Sequence, residues 1–203
     1  MCATARRPPL ILASTSPFRG ELLLRLGLKF EQDDPQLDEE PWKAQGLSPE
    51  ALVSQLAQAK AAAVATQHPD ALVLGADQVV SFEGDVLGKP GSFEAAVEQL
   101  RRLQGRTHEL VTGVALLDGR DGTCRTEVMT HQVTVRSLDS EAIERYVERD
   151  SPEQCAGSYK VESLGITLFE RLDGPDYTGI IGLPLTVVTR LLVQAGVDPL
   201  GAP

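Results

Sequence analysis

The chain has 203 residues, with 19 Lys and Arg against 29 Asp and Glu and a formal net charge of −10. That length gives one domain or two small ones with a real core, and 42% hydrophobic with 24% charged residues excludes general disorder. The acid excess excludes a protein that grips nucleic acid over a broad basic face, and no apolar run reaches the ~20 residues of a membrane-spanning helix. After the basic Met1–Pro9 stretch the apolar run is only Leu10–Ala13, too short for a signal-peptide core. Cys2, Cys124 and Cys155 are far apart with no CxxC, so neither a disulfide framework nor a zinc knuckle is expected. The expectation is a soluble cytoplasmic protein with a flexible N-terminus over 1–9 and a single domain over 10–198.

Leu10 to Ala13 reads as a buried strand. Pro17 suits a first helical position, and Leu22, Leu23 and Leu26 form one helical stripe that stops at Gly27. A second strand is expected over 28–32, running into an acidic loop. Ser48 and Pro49 open a long helix through Leu52, Leu56 and Ala59 to about Gln67. Residues 71–75 read as a short buried strand, while 79–82 and 86–87 flank Glu83-Gly84-Asp85 as a hairpin. Ser92 caps a helix to Leu103. Two long strands are expected over 109–117 and 126–135, then a helix over 139–148, a strand over 166–169 and a helix over 184–194 capped by Gly196. Early alternation of strands and helices with a long central hairpin predicts one compact α/β domain with a mixed sheet.

Residues 31–40 (EQDDPQLDEE) hold six acids and no base, more than half of the net charge. Such a run is either a solvated face or supplies one or two carboxylates to a divalent cation, and the run itself leaves both open. Ser14-Thr15-Ser16-Pro17-Phe18-Arg19 stands where a buried strand turns into a helix. Helix N-terminal N–H groups, small hydroxyls and an arginine suit a phosphate there, against the plainer reading of a capped helix with a surface arginine. Lys60, Lys89 and Lys160 stand at marked places, although each alone reads more readily as a solvated lysine. Gly84 to Lys89 has three residues between its glycines and a Pro after the Lys, so it is not a phosphate-binding P-loop. Asp77 in GADQ follows an apolar strand, where α/β sheets place functional groups, or else caps a turn. His68, His108 and His131 are isolated, no G-x-S-x-G elbow is present, and Ser14 or Ser16 as a covalent nucleophile lacks a base.

Several ordered segments together carry a resemblance: LASTSPFR at 12–19, LDEE at 37–40, LAQAKA at 56–61, GADQV at 75–79, GKP at 88–90, TGVAL at 112–116, CAGSYKVESLG at 155–165 and IGLPL at 181–185. With these, the chain from about Leu10 to Ala195 resembles the Maf nucleoside-triphosphate pyrophosphatases. The resemblance implies an α/β fold with an elongated mixed sheet and a central cleft, similar to inosine-triphosphate pyrophosphatases. It implies hydrolysis of a nucleoside triphosphate to the monophosphate and pyrophosphate with a divalent metal, Mg²⁺ or Mn²⁺. Carried over by motif, Asp77 is the proton acceptor or a metal ligand, and Glu39 stands near the metal. Ser14, Arg19, Lys60 and Lys89 surround the triphosphate, with Lys160 in a motif of less defined role. Gly20 departs from the pattern, since many relatives carry a second basic residue there. A homodimer is compatible with the resemblance alone.

Three positions resemble those that mark branches of the family: Phe18, Gln78 and Glu162. Their combination is similar to the YceF-type branch, whose members hydrolyse 7-methyl-GTP, although that branch often has Trp in place of Phe18. An aromatic face suits a cationic N7-methylated guanine, and a carboxylate at 162 suits the N1–H and N2–H donors of guanine. The alternatives are a dTTP/UTP pyrophosphatase of the same family, or a nucleotide-binding regulator of septum formation without turnover. Retention of Asp77 and Lys89 favours an enzyme.

Overall fold

The computed structural model describes residues 7–201; Cys2 and most of the expected flexible N-terminus lie outside the described residues. The chain begins with β1 Leu10–Ala13, α1 Pro17–Leu24, β2 Glu31–Asp33, α2 Glu40–Lys43 and α3 Pro49–Ala65. The hairpin β3 Leu72–Phe82 and β4 Asp85–Leu87 follows, then α4 Phe93–Leu103, β5 Thr107–Asp118, β6 Cys124–Val135 and α5 Ser140–Asp150. After two 3₁₀ turns, Ala156–Ser158 and Leu164–Leu168, come β7 Phe169–Asp173, α6 Tyr177–Ile181 and α7 Leu185–Gln194.

Seven strands form one mixed sheet in the order β2-β1-β3-β5-β6-β7, with β4 paired to β3 off that path. β2, β1 and β3 run parallel, whereas β3, β5, β6 and β7 are antiparallel. The fold is therefore the expected α/β architecture with an elongated mixed sheet flanked by helices. Helix starts follow the sequence signals: Ser16, Ser48, Ser92 and Asp139 each accept a backbone N–H of the first turn, and Pro stands early in α1 and α3. Glu83 and Gly84, both at positive φ, make the two-residue turn from β3 to β4.

Strand alternation sorts the core. On one face of β3, Val73, Gly75, Asp77 and Val79 look toward α3. On the other, Leu72, Leu74 and Ala76 pack with α1 and α7, while Val80 and Phe82 pack with α4 and α5. Gln78 and its cross-strand neighbour Thr112 stand between those two clusters. The helices on that face thus form two groups, packed in separate core clusters on either side of Gln78.

Two local expectations fail. The strand expected over 166–169 is a 3₁₀ turn over Leu164–Leu168, closed by the Thr167 hydroxyl donating to the Leu164 carbonyl (2.8 Å). Sheet pairing starts only at Phe169, which meets Val135 of β6. The two short strands expected on either side of Asp77 are one 11-residue strand. Unbroken antiparallel pairing from Leu72↔Asp118 to Ser81↔Glu109 holds β3 straight through Gly75-Ala76-Asp77-Gln78. Asp77 therefore sits mid-strand and is neither a strand end nor a turn cap.

Candidate active site

The sheet creates the site by a mismatch in strand length. β1 ends at Ala13, opposite Gly75, and β4 first pairs at Val80, so one edge of β3 is open from Ala76 to Val79. A strand edge needs partners for its polar backbone. The Arg19 guanidinium supplies one, with Nη1 donating to the Ala76 carbonyl (2.9 Å) and Nε to the Gly182 carbonyl (3.1 Å). This open edge is the floor of a cleft of about 1320 Å³. Its walls are the β1–α1 turn, the acidic loop, α2, α3, the β3–β4 hairpin with Lys89, the segment around Tyr159 to Glu162, and Ile180 to Gly182.

α3 brings Lys60 to Asp77 because the sheet beneath it lacks side chains. A Cβ at Gly75 would fall 2.1 Å from the Ala57 carbonyl oxygen, and one at Gly113 would fall 2.4 Å from that of Val53. With Ala57 and Ala61 on its inner face, the helix lies against the strands. Lys60 (8% exposed) then reaches the Asp77 carboxylate (7% exposed) with Nζ–Oδ1 of 2.6 Å, while the same Nζ lies 2.7 Å from Glu39 Oε1. Lys43 of α2 stands 3.2 Å from the other oxygen of Glu39. Desolvation alone would raise the Glu39 carboxyl, but Lys60 and Lys43 hold it below the ordinary carboxylate range. Burial pushes the Arg19 guanidinium down, opposed by the charges of Asp77 and Glu39. Of the acidic run, Asp34, Glu39 and Glu40 line the cleft, and Glu39 is the one ion-paired with Lys60 among the described residues.

At the other wall Ser14 is buried at the end of β1 and accepts from the Ser16 N–H (3.2 Å). Gln32 holds this turn by donating to the Ser14 and Ser16 carbonyls (3.0 and 3.3 Å). A Cβ at Gly20 would fall 2.6 Å from the Gln32 side-chain oxygen, so the glycine that departs from the family pattern makes room for that brace. Lys89 is exposed at the hairpin and makes no hydrogen bond or ion pair among the described residues, leaving its ammonium open to the cleft.

Gln78, one residue from Asp77, points to the opposite face. Its Nε2 donates to the Gly179 carbonyl (2.7 Å) and to Thr112 Oγ1 (2.8 Å). Both amide hydrogens are engaged, so Gln78 faces the cleft with an acceptor only. α6, which carries Gly179, is fixed by the buried Asp176. That carboxylate accepts from the N–H and hydroxyl of both Thr178 and Thr186, while His131 bonds the Asp176 carbonyl (2.6 Å). Phe18, half-buried in the first turn of α1, and the exposed Glu162 line the same cleft. Desolvation, followed by Asp150, raises the Glu162 carboxyl above the ordinary range.

The cleft therefore gathers Ser14, Phe18, Arg19, Glu39, Lys60, Asp77, Gln78, Lys89 and Glu162. Lys160 is not brought there: its Nζ donates to the Asp150 carbonyl at the end of α5, and its N–H to the Tyr146 hydroxyl. That carbonyl is one of the unpaired acceptors of a helix C-terminus, a favourable seat for a cation. Lys43, Thr112 and the α6 carbonyls escape sequence reasoning. Lys43 stands four residues after Glu39, a spacing that carries a signal; Thr112 and α6 carry none until the strands are registered.

Among the described residues no three His, Cys, Asp or Glu side chains are grouped to hold a metal. Two carboxylates converging on one cationic centre, beside a cleft rich in phosphate-binding groups, nevertheless suit Mg²⁺ or Mn²⁺, which takes one or two carboxylates and completes its shell with phosphate oxygens and water. No helix among the described residues is long and apolar enough to cross a membrane.

Comparison with known proteins gives the family. The sequence matches the family described as Maf-like protein over residues 9–195. It is 46% identical to a 7-methyl-GTP pyrophosphatase of Syntrophotalea carbinolica, covering 95% of this chain and 97% of the relative. Relatives of the same name from Thiobacillus denitrificans (46%, 98% of each chain) and Pseudomonas aeruginosa (44%, 94% of this chain and 98% of the relative) are similar throughout. A family match over residues 9–195, with relatives 44–46% identical over nearly the whole chain, places the chain in the Maf family.

Proposed function

We propose that this protein is a nucleoside-triphosphate pyrophosphatase that hydrolyses 7-methyl-GTP to 7-methyl-GMP and pyrophosphate. The observation that carries the reading is the buried Asp77 carboxylate, held by Lys60 at the open edge of β3 in a cleft that also holds Arg19 and Lys89. Asp77 Oδ2 accepts no hydrogen bond among the described residues, and it takes the proton of the attacking water. The water attacks the α-phosphorus, the α–β bridging bond breaks, and the β,γ pair leaves as pyrophosphate. Lys60, Lys89, Arg19 and the Ser14 turn hold the triphosphate in line and stabilise charge as the leaving group departs. Mg²⁺ or Mn²⁺ bound at Glu39 and Asp77 would supply further neutralisation of the phosphate oxygens.

Base selection follows from acceptors. Gln78 offers a carbonyl oxygen and Glu162 a carboxylate, matching the N1–H and N2–H donors of guanine; uracil and thymine offer two acceptors around one donor. Phe18 provides a π-face for the cationic N7-methylated ring, worth about 0.5–2 kcal/mol. Pyrophosphate release from 7-methyl-GTP, GTP, UTP and dTTP with Mg²⁺ and with Mn²⁺ tests the proposal. The expected result is highest kcat/KM with 7-methyl-GTP; faster turnover of UTP or dTTP overturns the base assignment, and no release from any nucleotide overturns the activity.

A further inference from the structure

We propose that Lys60 is the resident cation of the Glu39–Asp77 pair, and that it passes from these carboxylates to the triphosphate when a divalent ion binds. The second half of this rests on the pyrophosphatase reading. The first half rests on geometry alone: Asp77 Oδ1 and Glu39 Oε1 aim at a single ammonium, 2.6 and 2.7 Å away, on a side chain only 11% exposed. Without that ammonium the buried Asp77 carboxylate would face Glu39 with no ion-pair partner among the described residues, since Lys43 reaches only Glu39, a costly arrangement.

A divalent ion that takes Asp77 Oδ1 and Glu39 Oε1, the two oxygens that converge on one point, competes with the ammonium for that place. Mg²⁺ draws carboxylate oxygens to about 2.1 Å, and a second cation on the same two oxygens would be repelled strongly in a partly buried site. Binding at those two oxygens is therefore exchange, whereas binding at the open Asp77 Oδ2 alone would leave Lys60 in place. α3 already lies as close to the sheet as Gly75 and Gly113 allow, so the move is one of the long lysine side chain. Leu56, Ala57 and Ala61 pack beside it as buried apolar neighbours, so the displaced amine moves into the polar cleft with Arg19 and Lys89. Lys60 thus keeps the carboxylates paired before the ion arrives and becomes a phosphate ligand afterwards, without a backbone movement.

The test is amine acetylation of the nucleotide-free protein, read peptide by peptide by mass spectrometry, with the exposed Lys29 as internal reference. Lys60 is expected to be protected without metal, to label several-fold faster with saturating Mn²⁺, and to regain protection when inorganic pyrophosphate is added. In the Glu39→Gln/Asp77→Asn double variant, Lys60 is expected to label fast with or without Mn²⁺. Lys60→Met is expected to bind Mn²⁺ more tightly than the native protein, read as a larger rise in Tm at equal Mn²⁺. Labelling of Lys60 that Mn²⁺ leaves unchanged overturns the exchange; labelling that pyrophosphate does not reverse overturns the transfer to phosphate. Failure of the pyrophosphatase reading shows separately, as no pyrophosphate release in the nucleotide panel.

Discussion

Replacing Gly113 by alanine tests whether the seating of α3 on the sheet sets the alignment of Lys60 with Asp77. The new Cβ would fall 2.4 Å from the Val53 carbonyl oxygen and 2.6 Å from its carbon. Ordinary contacts need about 3.5 Å, so the helix must lift by about 1 Å. Val53 and Lys60 are two turns apart on the same helix face, and the lift reaches the lysine. Overpacking of this kind costs about 1–3 kcal/mol, at about 2–4 °C of Tm per kcal/mol for a chain of this size. A displacement of about 1 Å at a reacting group costs up to about 100-fold in rate. Thermal unfolding followed by circular dichroism and kcat/KM for 7-methyl-GTP give the two readouts. Gly119→Ala is the control, since its Cβ would meet the Pro69 carbonyl at 2.7 Å in a turn outside the cleft. The expectation is a lower Tm in both variants and a large loss of kcat/KM only in Gly113→Ala. Native kinetics in a destabilised Gly113→Ala, or equal kinetic losses in the two, would refute the link between helix seating and catalysis.

Three further outcomes are expected. Asp77→Asn keeps the fold and nucleotide binding but loses about 10²–10⁴-fold in kcat; near-native turnover removes Asp77 from proton transfer. Glu162→Gln weakens a charge-assisted hydrogen bond worth about 1.5–3 kcal/mol, so kcat/KM for 7-methyl-GTP falls while that for UTP barely changes; parallel losses would count against base recognition. Burial lowers the buried His108 from an ordinary 6.5 to about 4, so between those values the unfolded chain binds a proton that the folded chain does not. Stability is therefore complete above pH 6.5 and falls as pH drops toward 4, by up to about 3 kcal/mol. Urea midpoints across that interval should show this slope in the native protein and a flatter one in His108→Asn; identical slopes refute it.

Much of the fold is legible because its signals are local. Serines before α1, α3 and α4, with prolines inside the first turns of α1 and α3, announce those helices, and Glu83-Gly84 announces the hairpin. The short α2 and α6 are not legible: neither is long enough to show a periodic stripe, and both are held by tertiary contacts, α6 through Asp176. Lys160 shows the limit of transferring roles by motif. Its place in GSYK is unambiguous, yet only the approach of α5 reveals that its ammonium answers a helix C-terminus.

The sequence by itself determined the family, through ordered motifs that carry the few basic residues, the carboxylate of GADQ and Glu162, for which we propose the role of base acceptor. Only the tertiary structure decided how those groups act together. Asp77 is mid-strand because β5 pairs along the whole of β3, and it is accessible because β1 stops early. Lys60 meets it because Gly75 and Gly113 let α3 lie on the sheet, and Gln78 becomes an acceptor because Thr112 and Gly179 take both of its amide hydrogens. These are consequences of register and close packing between residues distant in the chain, and no local pattern encodes them.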